Sequence, residues 1–189
     1  MINKHTMNLS IMGSPRLSSG QKTIGTKNTI MDGMTTVLAS YLSGTIEGGV
    51  NCMYIEYINL ASPGDPIAIP TYDKEDDVSY YMGLQYSPDI DIVRVPISLR
   101  SNPEPNYAGN LEVSFYAATS AIAGQFGKPL EAASNSAVYG CALVYARDMN
   151  NMSQDIVVAR HYPVGARLEK ADGEQVICTW PIEIVINTY

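Results

Sequence analysis

The closing segment of the chain, Glu174–Asn187, constrains the fold more than any other sequence feature. Every second residue in it is apolar: Val176, Cys178, Trp180, Ile182, Ile184 and Ile186. A period of two is that of a β-strand, whose side chains point alternately to its two faces. One continuous apolar face predicts a central place in a β core, and it puts Trp180 inside that core. Pro181 lies on the opposite face and predicts a bulge, because proline has no amide hydrogen to donate.

Shorter segments that read as strands, from alternation or from their Tyr and Ile content, recur along the chain. They predict strands over Met7–Met12, Cys52–Leu60, Ile90–Arg100, Leu111–Tyr116, Ala137–Arg147, Asp155–His161 and Ala166–Lys170. Pro96 indicates an edge position or a bulge in the third of these. Residues 148–154 read as a hairpin loop, and Ala-Asp-Gly at 171–173 reads as a second hairpin turn. Because two packed sheets are the natural way to bury about eight amphipathic strands, we expect a mainly β fold, a two-sheet antiparallel β-sandwich with one short α-helix.

One segment has helical periodicity instead. Its apolar residues recur at helical spacing, at Ile30, Met34, Val37, Leu38, Tyr41 and Leu42. This stripe predicts an amphipathic helix over Ile30–Leu42, with Thr29 as its N-cap and Asp32 as the acidic half of a capping box. Ser43-Gly44 predicts the end of the helix, since glycine adopts the left-handed conformation without a steric clash. We expect the helix to pack on one edge or end of the sandwich.

The first part of the chain is more polar than the rest. Leu9 and Ile11 make Met7–Met12 a short strand, and a polar connection punctuated by glycine follows up to residue 28. A segment this polar buries little surface alone, so we expect its order to come from the sandwich or from an adjacent subunit. We predict an N-terminal strand and candidate arm over 1–28, exchanged between subunits, and a β-sandwich domain over 29–189.

Charge and composition exclude several classes of partner. The chain carries a net charge of −7, and its twelve basic residues form no cluster, so we expect no direct nucleic-acid partner. No run of residues approaches the roughly 20 apolar positions of a membrane span, so we expect no membrane partner. The three cysteines, Cys52, Cys141 and Cys178, lie far apart in predicted strands without a CxxC pair. We expect them to be reduced thiols of the core.

The residues that carry chemistry in other proteins form no recognisable cluster. The two histidines, His5 and His161, are part of no HxH, HExxH or Cys/His pattern, so we predict no zinc site. His161 reads as an ordinary residue at a strand end. The chain has neither GxSxG nor GxxxxGK[ST], the patterns of a nucleophile elbow and a phosphate loop. We therefore predict a protein that is not an enzyme and that has no cofactor and no catalytic residue.

Two polar segments invite a calcium interpretation. The first is an acidic run, Asp73, Glu75, Asp76 and Asp77, and the second, weaker one is Asp148, Asn150, Asn151 and Asp155. Neither has the ligand spacing of an EF-hand, and we favour solvated loops with no metal. The predicted loops also hold five tyrosines, Tyr72, Tyr80, Tyr81, Tyr86 and Tyr107. These can stack on sugars, but we favour a place in a subunit interface.

Four segments together resemble small structural proteins of tailed bacteriophage virions. They are KNTIMDGMTTVLASYLSG, the following YIEYINLA, PDIDIVRVPIS and VICTWPIEIVIN. The resemblance implies a sandwich of jelly-roll type that serves in assembly, as a capsid decoration or cement protein does. It implies no catalytic residues.

The expected function follows from this resemblance and from the missing reactive cluster. We expect a non-enzymatic protein of the virion, assembled in the host cytoplasm, that binds the major capsid protein or another virion protein. Closed symmetry lets one surface patch make many contacts, so we expect a trimer or another small cyclic homo-oligomer. Two alternatives stay open at this point. One is a tail or fibre component that binds a receptor or carbohydrate, and the other is a cell-envelope hydrolase that depends on His161.

Overall fold

The computed structural model describes residues 7–13, 15–25, 29–30, 32–46, 48–60, 91–105, 110–119, 126–127, 135–161, 167–171 and 173–188. In chain order, the elements are β1 (Met7–Gly13), β2 (Arg16–Ser19), β3 (Lys22–Gly25), β4 (Thr29–Ile30), α1 (Asp32–Leu42), β5 (Cys52–Asn59), β6 (Asp91–Pro96), β7 (Leu99–Arg100), β8 (Glu104–Pro105), β9 (Leu111–Ala118), β10 (Phe126–Gly127), β11 (Ser136–Tyr145), β12 (Ile156–His161), β13 (Leu168–Lys170) and β14 (Ile177–Thr188). A short 3-10 helix, Met152–Gln154, precedes β12. Over these ranges, no helix has the length and apolar character needed to cross a membrane.

The first sheet, sheet A, is built around β14. Its strand order is β3-β2-β14-β9-β7, with β1 also paired to β14 and β8 to β9. The predicted central place of the closing segment is confirmed, and Trp180 is fully buried. The predicted bulge at Pro181 is wrong, because the pairing of β14 with β9 runs without a register shift. On one side, β14 pairs with β2 up to Thr179 and with β1 from Ile182 on. Pro181 lies between these two pairings, where no amide hydrogen is needed on that side.

The second sheet, sheet B, has the strand order β10-β6-β5-β11-β12-β4, with β13 also paired to β11. All strand pairs of both sheets are antiparallel. The predicted strand over Ile90–Arg100 is divided between the sheets, because β6 ends at Pro96 in sheet B and β7 begins at Leu99 in sheet A. The predicted hairpin of β11 and β12 is confirmed. The one predicted at 171–173 is wrong, since β13 pairs with β11 and not with β14.

The two sheets face each other across one apolar core. Leu17 and Trp180 of sheet A lie in the same cluster of buried side chains as Met53, Val93 and Leu143 of sheet B. The expected β-sandwich character is therefore present. Strand alternation puts the next residues of sheet B on its other face. A second buried cluster lies there, and Met149 and Met152 of the loop between β11 and β12 pack against it.

The helix differs from its prediction at its start and on its apolar stripe. It begins at Asp32, and Thr29 is not an N-cap, because Thr29 pairs with Arg160 in the β4–β12 ladder. The predicted end is confirmed, since Gly44 follows the helix with a φ of 70°. α1 packs against β12, the strand next to the edge of sheet B, as expected. A Cβ atom on Gly33 would lie 2.1 Å from the carbonyl oxygen of Val157, so only glycine permits this close approach.

The predicted N-terminal strand is confirmed as β1. It pairs with β14 of the same chain from Met7 opposite Thr188 to Gly13 opposite Ile182. The division of the chain at residue 28 and the exchange of this strand between subunits stay predictions.

Candidate functional site

The C-terminal end of α1 exposes apolar side chains that the sequence pattern places in the core. Val37 is buried and Met34 packs against the core, but Tyr41 is 59% exposed and Leu42 is 76% exposed. Leu38, one turn before Leu42, is 37% exposed. We call Leu38, Tyr41 and Leu42 the α1 patch. Their spacing of three and four residues places them side by side on one face of the helix.

The α1 patch lies at a helix C-terminus that is capped by hydrogen bonds. The backbone amides of Ser43 and Thr45 donate to the carbonyls of Ala39 and Ser40 at 3.0 and 2.9 Å. The hydroxyl of Thr45 donates to the same Ser40 carbonyl at 3.0 Å. Ile46 then turns inward and is buried in the core cluster. These hydrogen bonds are those of a helix C-cap, so Tyr41 and Leu42 are held outward by an ordered turn.

Other exposed large apolar side chains of the described residues lie on sheet A. Leu99 on β7 is 66% exposed, Met12 on β1 is 49% exposed and Leu111 on β9 is 40% exposed. They come from three different strands, and single exposed apolar residues are common on protein surfaces. The α1 patch differs because its three members are neighbours on one short helix.

A buried ionic cluster lies on the face of sheet B that is turned away from sheet A. The Arg94 guanidinium donates to an Asp155 carboxylate oxygen at 2.7 Å and to the Asp148 carbonyl at 3.1 Å. It also donates to the carbonyl of Met149, and the hydroxyl of Tyr54 donates to the other carboxylate oxygen of Asp155. The cluster therefore fastens the loop between β11 and β12 onto the sheet. Nothing in the sequence pattern predicted it beyond a charged residue within the apolar strand β6.

Burial controls the ionisation of this cluster. It raises the pKa of Asp155, although the hydrogen bond from Tyr54 and the charge of Arg94 both lower it. Burial, with the Asp155 charge next in effect, raises the pKa of Tyr54 far above its ordinary value, so the phenol stays protonated and can donate. Burial also raises the pKa of the nearby Cys52 thiol to about 12. These groups are buried from solvent, and we interpret the cluster as a structural one that stabilises the fold.

A second buried ion pair joins β5 to β12 across the strand between them. A nitrogen of Arg160 lies 3.5 Å from each carboxylate oxygen of Glu56. β11 runs between these strands and places Gly140 opposite Glu56. A Cβ on Gly140 would lie 3.1 Å from the Glu56 carboxylate. The missing side chain thus lets Glu56 reach over β11.

The candidate calcium ligands of 148–155 do not converge. Asp155 faces Tyr54 and Arg94, as described above. The carboxylate of Asp148 accepts the backbone amide of Asn150 at 2.8 Å, and the side chain of Asn151 accepts the amide of Ser153 at 3.1 Å, where it caps the 3-10 helix. In the part of the chain that the structure describes, no group of three or more His, Cys, Asp or Glu could hold a metal ion. The acidic run from Asp73 to Asp77 lies outside the described residues.

The other predicted candidates are buried or lie outside the described residues. His161 pairs with Cys141 in the β11–β12 ladder and is 1% exposed, so it is closed to a substrate from solvent. The indole of Trp180 is buried, which removes it as a sugar-stacking surface. His5 and the tyrosines at 72, 80, 81, 86 and 107 are outside the described residues.

One shallow cleft lies where the sheets meet at β3 and β13. It has a volume of about 60 Å³ and is lined by Lys22, Leu60, Asn135, Glu169, Lys170 and Ala171. Lys22 lies 3.9 Å from Glu169, and Arg167 also pairs with Glu169. The Lys170 ammonium, itself buried, donates to the carbonyl of Ala171 at 3.1 Å. The charged side chains that line the cleft therefore already have partners, and the α1 patch is the stronger candidate for contact with a partner protein. No family model, no curated protein and no solved structure matches this chain.

Proposed function

We propose that this protein is a non-enzymatic structural protein of a tailed-phage virion. It acts as a decoration or cement protein on the capsid exterior and binds the major capsid protein. The observation that carries the proposal is the α1 patch, an ordered apolar surface on the same sequence segment that resembles virion structural proteins. The jelly-roll topology that the resemblance implies belongs to the same proposal.

The size of the α1 patch favours a repeated contact. A stable interface buries about 800 Å² on each partner, and three side chains on one helix end supply only part of this. A small cyclic oligomer presents the same patch several times to a symmetric shell, which raises the effective affinity without any new contact. A trimer or another small ring therefore suits a decoration protein better than a monomer.

The test compares two surface variants that alter exposed leucines at different places. Leu42→Ser weakens the α1 patch, and Leu99→Ser is its matched control on sheet A. Each protein is mixed with shells assembled from the major capsid protein of the same genome, and the bound fraction is measured by sedimentation. We expect the wild type and Leu99→Ser to sediment with the shells and Leu42→Ser to lose most of its binding. Absence of wild-type binding to the shells would overturn the decoration role.

The alternative function, a receptor- or carbohydrate-binding module of a tail or fibre, gives a different result. Such a module binds defined glycans on an array and does not sediment with shells. The position of the gene supplies an independent observation. Neighbours that encode portal, scaffold and major capsid proteins support the decoration role, whereas neighbours that encode tail fibres support the alternative.

A further inference from the structure

Two of the three cysteines meet between the sheets. The sulfur atoms of Cys141 on β11 and Cys178 on β14 lie 4.0 Å apart, and both residues are completely buried. Cys178 pairs with Ala117, which is buried in the same core between the sheets. This small neighbour leaves room for the sheets to approach each other at this point.

We propose that Cys141 and Cys178 form a reversible disulfide that joins the two sheets when the protein meets a disulfide oxidant such as oxidised glutathione. The sulfur atoms of a disulfide are about 2.05 Å apart, so they must approach by about 2 Å. Rotation about χ1 of both cysteines and a small shift of the sheets provide this movement. The bond would connect central strands of the two sheets and close a long loop, since the two residues are 37 positions apart.

The reaction is a pair of thiol–disulfide exchanges. The thiolate of one cysteine attacks a sulfur of oxidised glutathione, which releases one glutathione and leaves a mixed disulfide. The thiolate of the other cysteine then attacks the protein sulfur and releases the second glutathione. The two protein protons pass to the two released glutathione thiolates. One disulfide is thereby reduced while one disulfide is formed.

The exchange in the folded protein is slow. Burial raises the pKa of Cys141 well above its ordinary value, and its hydrogen bond with Cys178 raises it further. Because the thiolate is the attacking species, exchange requires a local opening of the sandwich. We therefore expect a bond that forms slowly after folding and that is equally slow to reduce. This inference does not depend on the proposed virion role.

The experiment measures the disulfide at equilibrium in the full-length protein. Reduced protein is incubated in glutathione buffers of varied redox ratio, and denatured protein is refolded into the same buffers so that equilibrium is approached from both sides. Samples are quenched in acid, alkylated with a maleimide in denaturant and analysed by intact mass and peptide mapping. A parallel series is kept in concentrated guanidinium chloride as the unfolded reference.

The expected wild-type product carries one maleimide, on Cys52, and a cross-linked peptide that contains Cys141 and Cys178. The equilibrium constant for oxidation should be about 30-fold or more above that of the unfolded reference, since native disulfides commonly stabilise by at least this ratio. Cys52 lies in the other buried cluster of sheet B and supplies the matched control. Cys52→Ala should keep the cross-link, whereas Cys141→Ala and Cys178→Ala should abolish it.

Two results would overturn the proposal. One is folded wild-type protein that accepts a maleimide on all three cysteines at redox ratios that oxidise the unfolded reference. The other is a cross-link that includes Cys52. Peptide mapping of the wild type alone decides between these outcomes, so the test does not depend on the folding of any variant.

Discussion

The two faces of sheet B are both closed to solvent, but different interactions close them. On the inner face, Met53 and Leu143 pack against sheet A among other apolar side chains. On the outer face, apolar residues share the buried surface with Asp155, whose carboxylate accepts hydrogen bonds from the Tyr54 hydroxyl and the Arg94 guanidinium. Successive residues of β5 point alternately to the inner and the outer face, so neighbouring positions are buried by different kinds of interaction.

The difference shows what each face requires of its sequence. Apolar packing depends on area and volume, and a truncated side chain loses its transfer energy and leaves a cavity. A buried charge pair stabilises a fold little more than apolar residues of the same shape would. Removing one partner, however, leaves the other charge unpaired in a medium of low dielectric. The inner face therefore tolerates exchange among apolar residues, whereas the outer face requires complete pairs.

The largest effect should follow Asp155→Ala on the outer face. It leaves the Arg94 guanidinium without its carboxylate and the Tyr54 hydroxyl without its acceptor, so we expect a loss of about 3–5 kcal/mol in the free energy of unfolding. Urea unfolding followed by fluorescence measures this loss. Asp148→Ala is the control, since its exposed side chain only accepts a local turn bond from Asn150 and should change stability far less.

A double variant separates pairing from packing in this cluster. Arg94→Met combined with Asp155→Leu removes both charges and should recover much of the loss caused by Asp155→Ala, because no buried ion is left alone. If the double variant is as unstable as the single one, the loop between β11 and β12 is held by hydrogen bonds to its carbonyls and not by charge pairing.

On the inner face, Leu143→Ala should cost about 2–5 kcal/mol through the lost transfer energy and the cavity between the sheets. Val144→Ala, the next residue along β11, makes the same kind of truncation on the outer face. It removes fewer carbon atoms and should cost less. Denaturant midpoints of the two variants measure the comparison. A larger loss for Val144→Ala would mean that the outer face is the better packed of the two.

A smaller effect should appear in alkaline solution. The pKa of Cys52 on the outer face is raised from its ordinary value of 9.0 to about 12, so folding favours the neutral thiol. Its contribution to stability is complete below pH 9.0 and is lost as pH rises toward the folded pKa. Cys52→Ala should make the decline in unfolding free energy less steep over this range, by up to about 1.4 kcal/mol per pH unit for one proton. An unchanged slope would contradict this assignment.

Strand alternation predicted the inner face better than anything else in the molecule. Along β14, Cys178, Trp180 and Ile182 are buried where their period of two places them, and the Tyr- and Ile-rich segment at Cys52–Leu60 forms the predicted strand β5. The helix stripe failed at its C-terminal half, because periodicity reports which residues share a face and not whether another element covers it. Among the strands that the structure describes, β12 is the one that packs closely against α1. The exposure of Leu42 therefore depends on tertiary structure that the helical spacing does not encode.

The sequence could not predict the buried ionic cluster on the outer face of sheet B, and the reason is different. Asp155 and Arg94 are 61 positions apart, and Tyr54 and Asp155 are 101 apart, so no local pattern links them. Asp155 also lies in a segment rich in Asp and Asn, which favoured a solvated loop. A charged residue inside the apolar run of β6 was the one available signal. It indicates that a buried partner must exist, since an unpaired ion inside a sheet is too costly, but it does not identify that partner.

The smallest effect should come from Gly140→Ala, which tests whether Glu56 reaches Arg160 over β11. Gly→Ala at a compatible backbone stabilises by about 0.4–1 kcal/mol through the unfolded chain, and Gly49→Ala, with nothing within 4 Å of its Cβ, is the reference for this gain. At Gly140 the new methyl would lie 3.1 Å from the Glu56 carboxylate and must displace it. The displacement lengthens a contact that is already 3.5 Å, so we expect Gly140→Ala to be about 1 kcal/mol less stable than Gly49→Ala. Equal gains at both glycines would show that the Glu56 carboxylate does not lie over β11.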